Sequence, residues 1–348
     1  MKSTIFVGAV TPVPSHPRGL YRRGPGETEW QSLEAGLPAD LQVNCIVTGR
    51  ENSDVLLIGT QRGVFRSEDR GDSWIDLGVP EECKPVYSLL IHPGEPTTIY
   101  AGSDDTVIYR TDDRGASWRS LPTVQPAGAL TSCFPVRVLK MTVDPTNTDE
   151  IYAALEVGGV IRSLDGGENW DDISGGLLKL SEQPHLRNCI LSDNLSEGMM
   201  DLHALTVSSE QPGKLWVANR MGLFVSEDRG DNWREFGIGR FSDLTYARDL
   251  AVSPHDPKVF IAALSTSSRG DAGSVYTSSD TGETWQRLDH DISIDSTVMN
   301  VAINKNDPNR VYCAARLGQI LGTEDGGATW NSFPLPDGVQ DVRAIVCT

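Results

Sequence analysis

An eight-residue pattern recurs along the chain and constrains its fold more than any other feature. Ser or Thr stands first, Asp third, Gly fifth and Trp last, as in SEDRGDSW. Copies occupy 67–74, 111–118, 163–170, 226–233, 278–285 and 323–330, and an eroded copy ends at Trp30. The seven tryptophans that end these copies follow one another at intervals of 44 to 63 residues. A period of this size indicates one repeat array rather than separate domains.

Each repeat contains four short segments with β character. Around the second copy they read VYSLLIHP, TTIYAGS, VIYRTD and, after the box, WRSLP. Val, Ile, Tyr and Thr dominate these segments, turn residues separate them, and no helical period competes. The pattern therefore predicts four antiparallel strands per repeat, A to D, with the box as the turn from C to D.

The box residues have physical reasons to lie in such a turn. The Asp and Ser side chains can satisfy turn amides locally. Glycine permits a backbone conformation that other residues adopt at a cost, and this position is filled by Gly71, Gly115, Gly167, Gly230, Gly282 and Gly327. We expect the tryptophan to open strand D and to pack between neighbouring repeats.

The S-x-D-x-G-x-[ST]-W string resembles the Asp-box, or BNR repeat, found in sialidases, sortilin-type receptors, xyloglucanase-type glycosidases and photosystem assembly factors. This resemblance covers nearly the whole chain and implies a β-propeller. It leaves function open, since the same repeat occurs in enzymes, receptors and assembly factors. In those proteins the boxes lie on the face away from the active site.

The predicted fold is an all-β, seven-bladed propeller of four-stranded antiparallel blades in one domain, 1–348. The chain opens on a B-like run, STIFVGAV, and closes on an A-like run, VQDVRAIVCT. The C-terminal strand should therefore join the N-terminal blade and leave no open edge. Blade 1 is predicted from 339–348 plus 1–36, and the remaining blades from about 41–80, 85–122, 136–176, 201–238, 246–290 and 297–335.

Composition excludes some functions. The net charge is −18, from 30 basic and 48 acidic residues, which disfavours nucleic acid and anionic membranes as partners. The sequence has no apolar run approaching the ~18 residues of a membrane span, and we expect a cytoplasmic protein. The six cysteines show no CxxC spacing, so reduced, structural thiols are expected.

Long insertions concentrate on one side of the predicted ring. We call the face that carries the D-to-A and B-to-C connections the top face. Four long insertions belong to it: PVPSHPRG, LPTVQPAGALTSCFP, the segment 176–200, and STSSRGDAGS. Their concentration suggests a ligand site over the central channel, with 176–200 either a lid or an insertion without a ligand role.

Aligned A and B strands place polar residues near the channel mouth. One A column reads Asn44, Ser88, Lys140, Ala204, Asp249, Asn300 and Arg343. A neighbouring A column contains Tyr87, His203 and Arg248, and the end of strand B reads Thr60, Asp104, Glu156, Asn219 and Arg316. These side chains should ring the mouth of the channel.

The types of these residues suggest two kinds of role. Paired carboxylates with a proton donor suit acid–base chemistry, and the catalytic candidates are Glu156, Asp104, His203 and Lys140. Arginines can hold an anion through bidentate contacts. The ligand-binding candidates are Arg248, Arg316, Arg343, Asp249, Asn44, Asn300, Tyr87 and Asn219.

Several functions remain open at this level. The leading hypothesis is binding of a small polar or anionic molecule, or of a protein partner, on the top face. The alternative is a hydrolase or lyase, glycosidase-like or lactonase-like. No cofactor is predicted, and a Ca²⁺ or Mg²⁺ site would have to use Asp104, Glu156 and Asp249.

A sialidase proper is disfavoured. The chain lacks a Phe-Arg-Ile-Pro-like motif, and FPVRV at 134–138 departs from it in order. The arginine triad that the resemblance implies would have to come from Arg137, Arg248 and Arg343.

Overall fold

Seven four-stranded antiparallel sheets form a ring in the computed structural model, which describes residues 3–11, 19–49, 52–79, 85–130 and 135–348. Consecutive sheets contact one another through their A and B strands, and the seventh contacts the first. The protein is therefore a seven-bladed β-propeller, and the predicted fold is confirmed.

The two inner strands of each blade carry most of the core. The A strands of blades 1 to 7 are Gln340–Cys347, Val43–Thr48, Val86–Ile91, Arg137–Asp144, Leu202–Val207, Tyr246–Val252 and Val298–Ile303. The B strands are Ile5–Thr11, Leu56–Thr60, Ile99–Ser103, Asn147–Glu156, Leu215–Asn219, Phe260–Ser265 and Val311–Ala315. Most B strands are near-continuous apolar runs, because a neighbouring blade covers each of their faces.

The two outer strands become progressively shorter and more exposed. The C strands are Leu20–Arg23, Gly63–Ser67, Ile108–Thr111, Gly159–Ser163, Gly222–Ser226, Gly273–Ser278 and Ile320–Thr323. The D strands are Gln31–Ser32, Ile75–Gly78, Arg119–Ser120, Asp171–Asp172, Arg234–Glu235, Gln286–Arg287 and Asn331–Ser332. Such short outer edges present few unpaired backbone groups to other chains.

The C-terminal strand closes the ring. It forms strand A of blade 1 and pairs antiparallel with strand B from Ile5↔Cys347 to Thr11↔Gln340. Thr4 and Thr348 exchange two further backbone hydrogen bonds of 3.0 and 2.9 Å beyond the strand. The first blade therefore combines both ends of the chain, as predicted.

Small residues on the B strands let neighbouring blades approach closely. A Cβ on Gly59 would lie 2.8 Å from Cγ1 of Val86 in the next blade, and one on Gly102 would lie 2.5 Å from Cγ1 of Val138. The matching position is glycine or alanine in every blade: Gly8, Gly59, Gly102, Ala154, Ala218, Ala263 and Ala314. Close packing between blades thus depends on this column.

The box residues form the C-to-D turn that the sequence predicts. In the first box the Ser67 hydroxyl accepts from the Gly71 amide at 2.7 Å, and Asp69 accepts from both the amide and the hydroxyl of Ser73. Gly71 has φ +85°, a region that favours glycine. The hydrogen bond from the backbone amide at the Ser73 position to the Asp side chain recurs in the other five boxes.

The box tryptophans follow two patterns of hydrogen bonding. The indole nitrogens of Trp30, Trp118, Trp233 and Trp330 donate to a carbonyl of the preceding blade. Those of Trp74, Trp170 and Trp285 donate to the glycine of their own box. Hydrogen bonding between blades therefore involves four of the seven.

The insertion between blades 4 and 5 is a packed segment. It contains helix α1 (Gly175–Leu180), a 3₁₀ helix (Pro184–Leu186) and helix α2 (Glu197–Met200). Leu177, Leu186 and the two methionines of α2 join a core cluster shared by blades 4 and 5. The carboxylate of Glu197 accepts backbone amides from Ile190, Leu191 and Ser192, which orders the intervening loop.

Other sequence expectations can be compared only where the chain is described. Cys45, Cys189, Cys313 and Cys347 are free thiols; Cys83 and Cys133 lie outside the described residues, as do 12–18 and 131–134 of the predicted insertions. A second 3₁₀ helix, Ile238–Arg240, precedes blade 6. No helix in the described ranges is long and apolar enough to cross a membrane.

Candidate functional site

A cavity of about 480 Å³ runs along the central channel. Residues from the A strands of all seven blades line it, together with Glu156, the last residue of its B strand, and Arg316, which directly follows one. Because every A strand begins at the top face, the polar residues at these strand starts surround the upper end of the cavity. This is the size range of small-molecule sites in proteins.

A β-bulge near the start of each A strand shapes the cavity wall. In every blade one A residue has no partner on strand B, and the seven unpaired positions are Asn44, Tyr87, Leu139, His203, Arg248, Met299 and Arg343. All seven line the cavity. Bulges redirect side chains in this way, so the bulge column supplies much of the polar wall.

The bulges revise the strand alignment made from sequence. Asn44 and Arg343 belong with Tyr87, His203 and Arg248, one residue from the column in which the sequence alignment placed them. The column predicted at the end of strand B also mixes two structural positions. Thr60 and Asn219 pair with the residue before the bulge, whereas Asp104, Glu156 and Arg316 lie one position further along the chain; of these, Glu156 is still paired, with Arg137.

Ten of the twelve predicted site residues line the cavity. They are Glu156, His203, Lys140, Arg248, Arg316, Arg343, Asp249, Asn44, Asn300 and Tyr87. Asp104 lies outside the wall, against Arg137. Asn219 is fully buried: its Oδ1 accepts two backbone amides of the turn that follows it, and its Nδ2 donates to the Met199 carbonyl of α2.

Arg137 joins two of the candidate carboxylates. Its Nη1 lies 3.0 Å from Oε2 of Glu156, and its Nε lies 3.5 Å from Oδ1 of Asp104. Burial raises the pKa of Asp104, although the Arg137 charge and the Tyr87 hydroxyl oppose this. The guanidinium also lies 5.1 Å from the centre of the Tyr87 ring. These residues form a compact ionic cluster on blades 3 and 4.

His203 is buried in a second cluster. Its Nδ1 lies 2.8 Å from the Ala247 carbonyl, and its Nε2 lies 3.3 Å from both Oδ2 of Asp201 and the Tyr246 hydroxyl. Arg220 donates to the same Asp201 oxygen at 3.0 Å. With a side chain only 1% exposed, His203 is held by protein partners on both ring nitrogens.

Two ion pairs occupy other parts of the wall. Lys140 Nζ lies 3.4 Å from Oδ1 of Asp249, whose other oxygen accepts the Val301 amide at 3.0 Å. Arg316 Nη1 lies 3.0 Å from Oδ1 of Asp341. The Lys140 side chain extends from blade 4 past blade 5 to Asp249 on blade 6. The residue of blade 5 that is equivalent to Lys140 is the small Ala204.

Arg248 and Arg343 differ from the other basic residues of the wall. No carboxylate of a described residue lies within 4 Å of either guanidinium, whereas Arg343 donates to the Asn44 side chain at 3.1 Å. Burial lowers the pKa of Arg343, and the charges of Arg248 and Arg137 lower it further. Burial also acts to lower the pKa of Arg248, but Tyr246, Glu156 and Asp201 outweigh it and raise that pKa.

Metal-ligating side chains do not cluster in the part of the chain that the structure describes. No group of three or more His, Cys, Asp or Glu side chains is placed there to hold a metal ion.

Three residues of the His203 cluster were not predicted from the sequence: Asp201, Arg220 and Tyr246. Arg220 follows Asn219 directly, so a correct B-strand alignment would have placed it with Glu156.

These features define a β-propeller whose channel carries a polar, largely cationic cavity at its top face. Residues 223–236, which contain the box of blade 5, match the family described as BNR-Asp box repeat. Residues 273–347 match the family described as sortilin, neurotensin receptor 3.

Curated relatives share part of the chain. The oligoxyloglucan-reducing end-specific xyloglucanase of Emericella nidulans is 24% identical over 186 residues, which is 49% of this chain and 21% of that enzyme. The vacuolar protein sorting/targeting protein 10 of Fusarium vanettenii is 33% identical over 86 residues, 24% of this chain and 5% of that protein. The matches thus cover about a fifth or less of these relatives' length.

Solved structures resemble nearly the whole ring. The GH74 xyloglucanase from Xanthomonas campestris has a TM-score of 0.67 at 18% identity, covering 98% of this chain and 54% of that one. The structure described as YCF48 bound to D1 peptide has a TM-score of 0.60 at 18% identity, covering 97% and 90%. At this identity the likeness establishes the fold alone.

Proposed function

We propose that this propeller binds a small anionic molecule at the top of its channel, with Arg248 and Arg343 as the anion-binding side chains. One observation carries the proposal. Two guanidinium groups border the same cavity without a carboxylate of a described residue within 4 Å. Buried cations are normally paired, so an anionic ligand would complete this site.

The remaining wall fits the same function. Asn44 and Tyr87 border the cavity beside Arg343 and Arg137, and Arg137 is fixed by Glu156. An ordered arginine loses little side-chain entropy when a ligand binds, which favours affinity. The proposal needs no metal or organic cofactor, and we place the protein in the cytoplasm.

A thermal-shift screen of the full chain tests this proposal. Gluconate, galacturonate, malonate and phosphate are compared with glucose and galactose at constant ionic strength. We expect at least one anion to raise the melting temperature, since a ligand at one hundred times its Kd adds about 2.7 kcal/mol of stability. The neutral sugars should have no comparable effect.

Matched variants assign the effect to the site. Arg248→Gln and Arg343→Gln should each lose the anion response. Arg234→Gln removes the same charge from an exposed position on strand D of blade 5 and should keep it. Absence of any response in the wild type, or an equal response in all variants, contradicts the proposal and would favour a protein partner on the top loops.

A second candidate function is hydrolysis or elimination on the bound molecule. It is favoured by the Arg137 cluster, where Asp104 and Glu156 contact one guanidinium and burial raises the pKa of Asp104. Such a pair resembles the acid and base of glycosidases. Consumption of any compound that binds should then fall at least about a hundredfold in Glu156→Gln, whereas unchanged turnover would exclude this role.

A further inference from the structure

The charge of the cavity is opposite to that of the protein. The chain carries a net charge of −18, yet the described part of the cavity wall contains six basic side chains and three carboxylates. The basic residues are Arg137, Lys140, Arg248, Lys305, Arg316 and Arg343. A local excess of cations in a low-dielectric recess attracts anions from solution.

Each carboxylate of the wall already has a basic partner. Glu156 pairs with Arg137 at 3.0 Å, Asp249 with Lys140 at 3.4 Å, and Asp341 with Arg316 at 3.0 Å. Asp201, whose charge also acts on Arg248, is bound by His203 and Arg220. These contacts use the carboxylates locally and leave the charges of Arg248 and Arg343 available.

The position of the remaining lysine separates it from this pair. Lys305 lies beyond the lower end of its A strand, and its Nζ donates to the Gly49 carbonyl at 2.8 Å. Arg248 and Arg343 instead occupy bulge positions at the top of blades 6 and 1. Blade 7 lies between them, and its bulge residue is Met299, which carries no charge.

We propose that the ligand is a small dianion, which offers one negative charge to each of Arg248 and Arg343. This inference rests on the proposed function and specifies the ligand class. A monoanion would leave one guanidinium without a counter-charge beside another cation, whereas a dianion neutralises both through charge-assisted hydrogen bonds. The cavity of about 480 Å³ restricts the ligand to a small molecule.

Two chemical forms would satisfy this requirement. A dicarboxylate would offer a separate carboxylate to each arginine, and a phosphate monoester would offer one doubly charged group to both. Isothermal titration of the full chain at constant ionic strength compares acetate, malonate, succinate, sulfate and inorganic phosphate. We expect at least one dianion to bind at least about tenfold more tightly than acetate, because a second charged contact is made.

The order of the measured affinities distinguishes the two forms of dianion. Tighter binding of malonate or succinate than of sulfate indicates two separate carboxylates, and the reverse ranking indicates one compact group. Phosphate adds a pH test, since it gains its second negative charge between about pH 6 and about pH 8. Its affinity should rise over this interval relative to that of sulfate, which is doubly charged throughout.

Variants separate failure of this inference from failure of the proposed function. Arg248→Gln and Arg343→Gln should each reduce the ratio of dianion to acetate affinity to below about threefold, while Arg234→Gln keeps the wild-type ratio. Equal affinity for acetate and the dianions, lost in both cavity variants, would overturn the dianion inference but support an anion site. Absence of binding by all five probes would overturn both.

Discussion

Asp201 is a residue at which burial and charge act in opposite directions. Burial raises its pKa, but the charges of His203, Arg220 and Arg248 together lower it to about 2. An unfolded aspartate has a pKa of about 3.9. The carboxylate therefore stabilises the fold above about pH 4, and this contribution of about 2–3 kcal/mol disappears as the pH falls through about 2.

The variant Asp201→Asn removes this carboxylate. The free energy of unfolding of this variant should lie below that of the wild type at pH 7, and the difference should shrink by about 2 kcal/mol as the pH falls toward 2. Urea denaturation across that range measures it. Asp193→Asn, at an exposed position, serves as control, and a difference for Asp201→Asn that is independent of pH would refute the argument.

At the scale of the element, Trp233 links blades 4 and 5. Its indole is 8% exposed and donates to the Ile173 carbonyl of the preceding blade at 3.0 Å. Trp233→Ala should cost about 3–5 kcal/mol of stability through the cavity that it leaves. Trp233→Phe keeps much of the apolar contact and should cost less, with about 1 kcal/mol from the lost hydrogen bond.

A D-strand position of blade 2 provides the comparison. Ile75 directly follows a box tryptophan but is 62% exposed, and Ile75→Ala should change stability by no more than about 0.5 kcal/mol. Denaturant unfolding measures the loss of unfolding free energy, which should fall in the order Trp233→Ala, Trp233→Phe, Ile75→Ala. Equal costs for Trp233→Ala and Ile75→Ala would show that the tryptophan does not stabilise the contact between blades.

At the scale of the whole molecule, one strand closes the ring. Deleting 339–348 would remove strand A of blade 1 and expose the edge of Ile5–Thr11. It would also remove Val342, Ile345 and Cys347 from a core cluster. The truncated chain should melt at a clearly lower temperature and associate through the exposed edge, which differential scanning calorimetry and sedimentation would detect.

Removing Thr348 alone is the matched control. This deletion keeps Gln340–Cys347 and loses only the two backbone hydrogen bonds to Thr4. It should therefore have a small effect. If the longer truncation melted like the full chain and stayed monomeric, closure by the C-terminal strand would not contribute to stability.

The sequence was less informative about the site than about the fold. Ten of the twelve residues predicted for the site line the cavity, and eight of these ten lie in A strands. The alignment of the A strands was one residue off in blades 1 and 2, where Arg343 and Asn44 occupy the bulge position and not the paired position that follows it. Asn219 looked like a site residue, yet its amide holds a turn.

The sequence by itself determined the repeat, the four strands of each blade and the closure of the ring. These depend on local signals, namely the box turn, the apolar runs and the complementary chain ends. Only the tertiary structure decided which charges meet. Arg248 and Arg343 belong to different blades, and whether a carboxylate reaches them depends on bulge geometry and on the partners of Glu156, Asp249 and Asp341. Such pairing is non-local, and strand patterns do not encode it.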